Sequence, residues 1–309
     1  MDQNSRIAII GVGEVGGVVA YNLTLNSIAS ELLLVDVDLS VRNSQIEDLS
    51  DVAFCTNSTT RIRPATYREA SQSDIVVITA APRHTLGQTT VDYTARNVSM
   101  IREVVDAMKP FRRDTILLVV ANPVDLLTSI AKDISGLPSS QVIGSGTFLD
   151  TARLRGMVAT QAFVSPSSID INVVGVHGED QVVAWSSASI CGVPVSEMQE
   201  LSIQNRMKLA GTCKTRSQEI ARGKGAAPFG IGSITASICV SILLDKLDVS
   251  PVCHYQEQFQ CCLSMPAVIG RQGIRHTPRL RLADQEKAAI AESAKRLKHS
   301  VDLSQQDWQ

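Results

Sequence analysis

The chain has 309 residues, of which 44% are hydrophobic and 19% charged, with a formal net charge of −2. That length supports two substantial cores, or one large domain with a smaller partner. The near-neutral balance excludes a basic nucleic-acid surface and an acidic tail, and 4% aromatic residues leave few stacking platforms for bases.

MDQNSRIAII at the start runs from a polar opening straight into a strand-like segment. No basic segment precedes a long apolar core there, so the reading is a cytoplasmic protein without a secretory leader. RIAIIG (6–11) predicts a short buried strand, and the stretch from Glu14 to Asn26 a helix. ELLLVDV (31–37) is the next strand and SQIEDLSDVAF (44–54) the next helix-like segment. DIVVITAA (74–81) and DTILLVVAN (114–122) are two more apolar runs. Between them Val91, Val98, Ile101, Val105 and Met108 recur at helical spacing. Apolar runs that are continuous rather than alternating read as strands covered on both faces, as in a parallel sheet. The strand–helix alternation predicts a doubly wound α/β domain of Rossmann type over residues 1–145.

After about residue 145 the pattern changes. SIDINVVGV (168–176) is strand-like, and residues 197–222 look helical and charged. SITASICVSILL (233–244) is too short and too rich in Ser and Thr to cross a membrane. SMPAVIGRQGI (264–274) looks like a strand ending in a turn, and LADQEKAAIAESAKRLKHS (282–300) is an amphipathic helix. These elements predict a second, mixed α+β domain over residues 146–309. No linker or repeat separates the halves, so they are expected to pack tightly. The seven cysteines are irregularly spaced, and the one close pair, Cys261 and Cys262, is adjacent, which does not suit a CxxC-type site. Reduced thiols and no metal site are the reading.

IIGVGEVGGVVA (9–20) sets Gly11, Gly13 and Gly16 in GxGxxG spacing between a strand and a helix. Asp36 follows Gly16 by 20 residues, at the end of the second strand. Together these form the dinucleotide fingerprint. Gly11 permits the tight turn, Gly13 admits the pyrophosphate to the backbone, and Gly16 lets the helix pack on the sheet. The helix N-terminus supplies free N–H groups and partial positive charge. Asp36 can accept from both ribose hydroxyls of NAD. Against a 2′-phosphate it would be a like charge at contact, costing about 4 kcal/mol at an effective dielectric near 20, and Asp38 adds to the repulsion. NAD is therefore favoured over NADP.

Three further stretches hold chemistry-bearing residues, and each also has a plain structural reading. Asn122 before Pro123, in ANPVDLLT (121–128), is a helix start. Thr147 with Asp150, in GSGTFLDTARLR (144–155), resembles a capping box. His177 stands between glycines in GVHGED (175–180). Taken with VAWSSA (183–188) and LSMPAVIGRQGI (263–274), these motifs in this order resemble the NAD-dependent L-2-hydroxyacid dehydrogenases, the lactate/malate dehydrogenase family. The wording of NPVD and GSGTxLDxAR is closest to lactate and hydroxyisocaproate dehydrogenases. The resemblance spans nearly the whole chain. It implies a hydride transfer between NAD(H) and a small 2-oxo or 2-hydroxy acid. His177 then matches the proton donor and Asp150 the carboxylate that orients it. Arg153 matches the guanidinium that grips the substrate carboxylate. Asn122 matches the residue that touches nicotinamide and substrate. The cofactor contacts implied are Gly11, Gly13, Glu14, Val15, Gly16, Asp36, Thr79, Ala80, Ala81 and Asn122. A homo-oligomer, dimer or tetramer, is implied as well, and a tetramer locked by a long N-terminal arm in the vertebrate manner is not expected.

The pattern breaks in TAAPRHTLGQTT (79–90), which matches the family's lid. Aligning Gly87 with the lid glycine puts Thr90 where the family has a carbonyl-polarising Arg, and Thr is too short and neutral for that role. Three readings follow: Arg83 or His84 substitutes, the enzyme is slow or takes a carbonyl needing less polarisation, or the chain binds NAD without turnover. His84 falls at the substrate-discriminating position, where an amide suits lactate chemistry and an Arg suits malate; Arg83 and His84 also read as a solvated loop tip. Ala227 replaces a common Thr, which predicts room for a branched or longer 2-oxo acid. Arg155 matches a sugar-bisphosphate position, but its usual His partner is Asp170 here, so no such activation is expected. Malate dehydrogenase is the alternative within the family.

Overall fold

The computed structural model describes residues 5–82 and 89–306, the Thr90 side chain excepted. The first half alternates: β1 (Arg6–Ile10), α1 (Glu14–Leu25), β2 (Glu31–Val35), α2 (Leu39–Thr56), β3 (Arg61–Pro64), α3 (Tyr67–Ala70), β4 (Ile75–Ile78), α4 (Thr90–Met108), β5 (Ile116–Val119), α5 (Val124–Ser135) and β6 (Val142–Gly144). These strands lie in the order β3-β2-β1-β4-β5-β6, all parallel. The order reverses between β1 and β4, the switch point of a doubly wound sheet. Burial explains the continuous apolar runs. In β1, Ile7 and Ile9 pack into a core shared with α1 and with Ile234, Ile238 and Ile242 of the second half, while Ala8 and Ile10 pack into the opposite core with α4, α5 and, from the second half, Ala294 and Leu297. Both faces of β1, β2, β4 and β5 are covered, so their positions beyond Arg6 and Glu31 are apolar, whereas the edge strand β3, RIRP, is only partly buried.

The second half comprises α6 (Phe148–Ala162), β7 (Ile169–Asp170), β8 (Val173–Gly175), β9 (Gln181–Val183), β10 (Ser189–Ile190), β11 (Val193–Pro194), α7 (Ile203–Lys224), α8 (Pro228–Leu243), β12 (Asp248–Gln256), β13 (Cys261–Gly270), β14 (Gly273–His276) and α9 (Asp284–Gln306). The large sheet continues past β6 through β12, β13, β8 and β9, all antiparallel, with β14 beside β13. β11, β10 and β7 form a small second sheet over a core with α6 and α7.

Three expectations need adjusting. The strand expected over 168–176 is two strands, because β7 serves the small sheet and β8 the large one. The helix expected from 197 begins at Ile203, where the Ser202 side chain accepts from Asn205 N–H; short 3-10 turns precede it. β12 and α8 were not anticipated. α8 lies along α1 so closely that a Cβ on Gly232 would sit 2.5 Å from Val18 Cγ1.

Asp74, just before β4, ties the halves together at the edge of the sheet opposite the glycine loop. Its side chain, 5% exposed, accepts the Arg6 backbone N–H at 2.7 Å, Arg112 Nη2 at 2.6 Å and the guanidinium of Arg271 in the β13–β14 turn. Burial pushes its pKa up, but the Arg6 amide and the two guanidiniums outweigh burial and hold it below the ordinary value. A carboxylate with a depressed pKa stabilises the fold above its unfolded pKa, near 4, and that contribution is lost as pH falls through the folded value. Asp74→Ala leaves two guanidiniums without their shared anion and should cost about 3 kcal/mol in urea unfolding at neutral pH. Below pH ~4 the difference from the parent chain should shrink.

Candidate active site

The glycine loop leaves β1 at Gly11, whose φ is +87° and whose added Cβ would lie 2.4 Å from the Ala80 backbone. Gly16 is equally confined: a Cβ there would meet Gly11 O at 2.1 Å and Thr79 Oγ1 at 2.8 Å. Thr79 Oγ1 in turn donates to Gly11 O at 2.6 Å, joining the ends of β1 and β4. Gly13 differs, since nothing lies within 4 Å of its Cβ position, and as N-cap of α1 it offers no side-chain cap. The loop therefore has open space in front of uncapped first-turn amides, with exposed Glu14 and half-buried Val15 beside it. A pyrophosphate fits that cradle. Asp36 directly follows β2 and is fixed by protein amides, its Oδ2 accepting Val12 N–H at 2.7 Å and its Oδ1 accepting Asp38 N–H at 2.9 Å. Each oxygen keeps a second lone pair for a ribose hydroxyl. Asp38 caps α2. Ala80 and Ala81 continue from β4, and exposed Asn122 follows β5, so the proposed cofactor contacts lie at the carboxyl ends of the parallel strands.

The plain readings of two motifs do not hold. The N-cap of α5 is Pro123, so Asn122 is not spent on capping. Thr147 makes no cap bond; its Oγ1 donates to Val173 O at 2.5 Å, and Thr151 Oγ1 accepts Val173 N–H at 2.9 Å. These two bonds pin α6 to β8. Asp150, in the first turn of α6, is thereby free to turn to His177.

His177 sits in the β8–β9 hairpin between Gly175 (φ +85°) and Gly178 (φ +102°). Its Nδ1 lies 2.7 Å from Asp150 Oδ2. Arg153 Nη1 lies 3.7 Å from the other oxygen, Oδ1, of the same carboxylate. Arg153 Nη1 also donates to Ser217 Oγ on α7 at 2.5 Å. The Asp150 side chain is 3% exposed, that of Arg153 13% and that of His177 27%, so the acid is sealed while the imidazole stays accessible. Burial pulls the His177 pKa down; the hydrogen bond and charge of Asp150, helped by Asp125, outweigh it and raise the pKa above its usual value. Arg153 is lowered by burial against the attraction of Asp150, with the nearby charge of exposed Arg216 adding to the lowering, yet an arginine stays a cation at neutral pH.

Ala227 occupies the N-cap position of α8, half-buried. Arg155 donates from Nε to Ile171 O at 3.1 Å and is drawn toward Asp170. Arg83 and His84 lie outside the described residues, and Thr90 opens α4. Three groups around the cluster were not picked out from sequence: Asp125, Ser217 and Arg216. Asp125, the acid of NPVD, accepts the His177 backbone N–H at 2.7 Å across 52 residues of chain. For Asp125 the motif itself was a signal; for Ser217 and Arg216 none was available, because their neighbours come from distant segments.

Comparison with known proteins agrees with this architecture. The family profile for the lactate/malate dehydrogenase NAD binding domain matches residues 5–144, and that for the lactate/malate dehydrogenase alpha/beta C-terminal domain matches residues 147–307. L-lactate dehydrogenase A of Rhizopus oryzae is 40% identical over 301 residues, covering 97% of this chain and 93% of the relative. L-lactate dehydrogenase of Allorhizobium ampelinum is 35% identical, covering 95% and 97%. The crystal structure of the minor L-lactate dehydrogenase from Enterococcus mundtii superimposes with a TM-score of 0.93 at 31% identity, covering 98% of this chain and 99% of that one. The chain is an NAD-dependent oxidoreductase and belongs to the lactate/malate dehydrogenase family.

Proposed function

We propose that the chain is an L-lactate dehydrogenase-like enzyme that interconverts a small 2-oxo acid and its L-2-hydroxy acid. Residues 1–145 hold NAD and residues 146–309 supply the substrate side. The observation that supports this best is the shared carboxylate: Asp150 offers one oxygen to His177 at 2.7 Å and the other to Arg153 at 3.7 Å. A proton donor and an anion-gripping cation are thus set side by side. Gly11, Gly13, Glu14, Val15, Gly16, Asp36, Thr79, Ala80, Ala81 and Asn122 would hold the nicotinamide cofactor, which would give a hydride as NADH or take one as NAD+. Arg153 takes the substrate carboxylate in two parallel hydrogen bonds. With Nδ1 of His177 committed to Asp150, the Nε2 proton passes to the substrate oxygen as alkoxide charge develops, and in the reverse direction Nε2 takes it back. Asp150 remains the fixed counter-charge throughout.

Ala227 leaves space for a branched or longer substrate side chain, and His84 tunes discrimination at the mouth. Thr90 cannot polarise the carbonyl. The candidates for that role are Arg83, His84 and Arg216, whose charge already acts on Arg153. The large apolar side chains exposed at Leu39 and Phe54 on α2, and at Ile203 and Met207 on α7, support a homo-oligomer, dimer or tetramer. Seven unpaired cysteines, Cys55 and Cys191 exposed among them, support a cytoplasmic location.

The reading is tested by NADH oxidation with pyruvate, oxaloacetate and 2-oxoisocaproate. Turnover is expected, with 2-oxoisocaproate favoured over pyruvate; no oxidation with any 2-oxo acid would leave only an NAD-binding module. In the same assay Thr90→Arg should raise kcat at least ~10-fold, because a donor at the developing oxyanion is typically worth ~100-fold. The pH dependence follows from the raised His177 pKa. Reduction needs the protonated imidazole, so its rate should hold below that pKa and fall as pH rises through it. Asp150→Asn removes the anion that raises it; the alkaline limb should move to lower pH, and kcat/KM at neutral pH should drop ~100-fold or more.

A further inference from the structure

We propose that Asp125 is a positioning residue for His177: its carboxyl group clamps the His177 backbone while Asp150 clamps the ring, and the two together fix where Nε2 points. The inference rests on the reading of His177 as the proton donor. A hydrogen bond at Nδ1 alone sets the tilt of an imidazole but lets its Cα slide. The hairpin that carries His177 is poorly suited to resist such sliding, since Gly175 and Gly178 flank the site in left-handed backbone and offer no side chains to pack. The second anchor is the His177 N–H, donated to Asp125 Oδ2 at 2.7 Å. Both acids occupy the first turn of a helix, Asp125 on α5 and Asp150 on α6. The proton donor is therefore suspended between two rigid elements.

Burial makes a purely structural role a poor explanation. Asp125 is 3% exposed, and among the described residues its Oδ1 accepts no hydrogen bond. The Cys253 thiol lies against the carboxyl, but a thiol is a weak donor. Burial accordingly pushes the Asp125 pKa up. A buried polar atom left without a partner destabilises a fold and calls for a reason. That reason is the geometry of the turn. Exposed Asn122, assigned above to the cofactor and lying after the carboxyl end of β5, is three residues before Asp125. On the proposed reading the clamp ties the proton donor to the segment assigned to the nicotinamide, and a shift of about 1 Å in such a constellation can cost ~100-fold in rate.

The test uses the full chain, first confirmed to turn over a 2-oxo acid; no turnover there would count against the parent reading and leave nothing for Asp125 to position. Asp125→Asn keeps an acceptor oxygen for the His177 N–H, whereas Asp125→Ala removes it. NADH affinity, read by fluorescence, should stay within ~3-fold in both, which also certifies that each variant is folded. With Asp125→Ala, kcat should fall ~30- to 100-fold while KM for the 2-oxo acid changes less than ~3-fold, since Arg153 is untouched. Asp125→Asn should restore kcat to within ~5-fold of the parent. The proposal is overturned if Asp125→Ala keeps its kcat, if the loss appears in KM instead, or if Asn and Ala lose activity equally.

Discussion

The carboxylate of Asp150 is the point on which the site depends. A carboxylate sealed from water is costly unless charge and hydrogen bonds replace its hydration. Here a histidine and an arginine do so from opposite oxygens, and the N-terminal turn of α6 favours a negative charge at that place. The same contacts orient both partners. One arrangement thus both compensates the buried acid and orients its two partners, and moving either partner would take away part of that compensation.

That arrangement is inherited from simple elements. Thr147 and Thr151 use their hydroxyls on the backbone of Val173, so α6 and β8 cannot slip past one another. β8 then delivers His177 two residues past its end, on a hairpin with glycines at 175 and 178. The glycine loop after β1, the Thr79–Ala81 segment after β4 and Asn122 after β5 all emerge at the same edge of the parallel sheet. The second half of the chain brings its cluster there through the antiparallel strands β12, β13 and β8. One continuous sheet thus carries both the glycine loop and the His177 hairpin.

Much of this was legible from residues alone. The apolar runs of β1, β2, β4 and β5 report burial on both faces, and the Gly11–Gly13–Gly16 spacing with Asp36 reports a cofactor loop. Other parts were not. α8 is buried on most sides and rich in small residues, so it has no amphipathic period to detect. β12 has a proline and a histidine inside it, and its strand character comes from pairing with β13 along nine residues rather than from propensity. Thr147 with Asp150 is a capping pattern locally and something else in space, because His177, 27 residues on, competes for the acid. Asp125 reads as an ordinary first-turn acid until the partner 52 residues away is known.

The continuity of the sheet limits how such a protein can breathe. Main-chain ladders run without interruption from β3 to β9, and α8 lies so close along α1 that Gly232 has no room for a side chain. Swinging one half away from the other would tear those ladders and open that seam. Hinged opening of the two halves is therefore a costly way to admit a small acid or release its product, because one unbroken ladder underlies both.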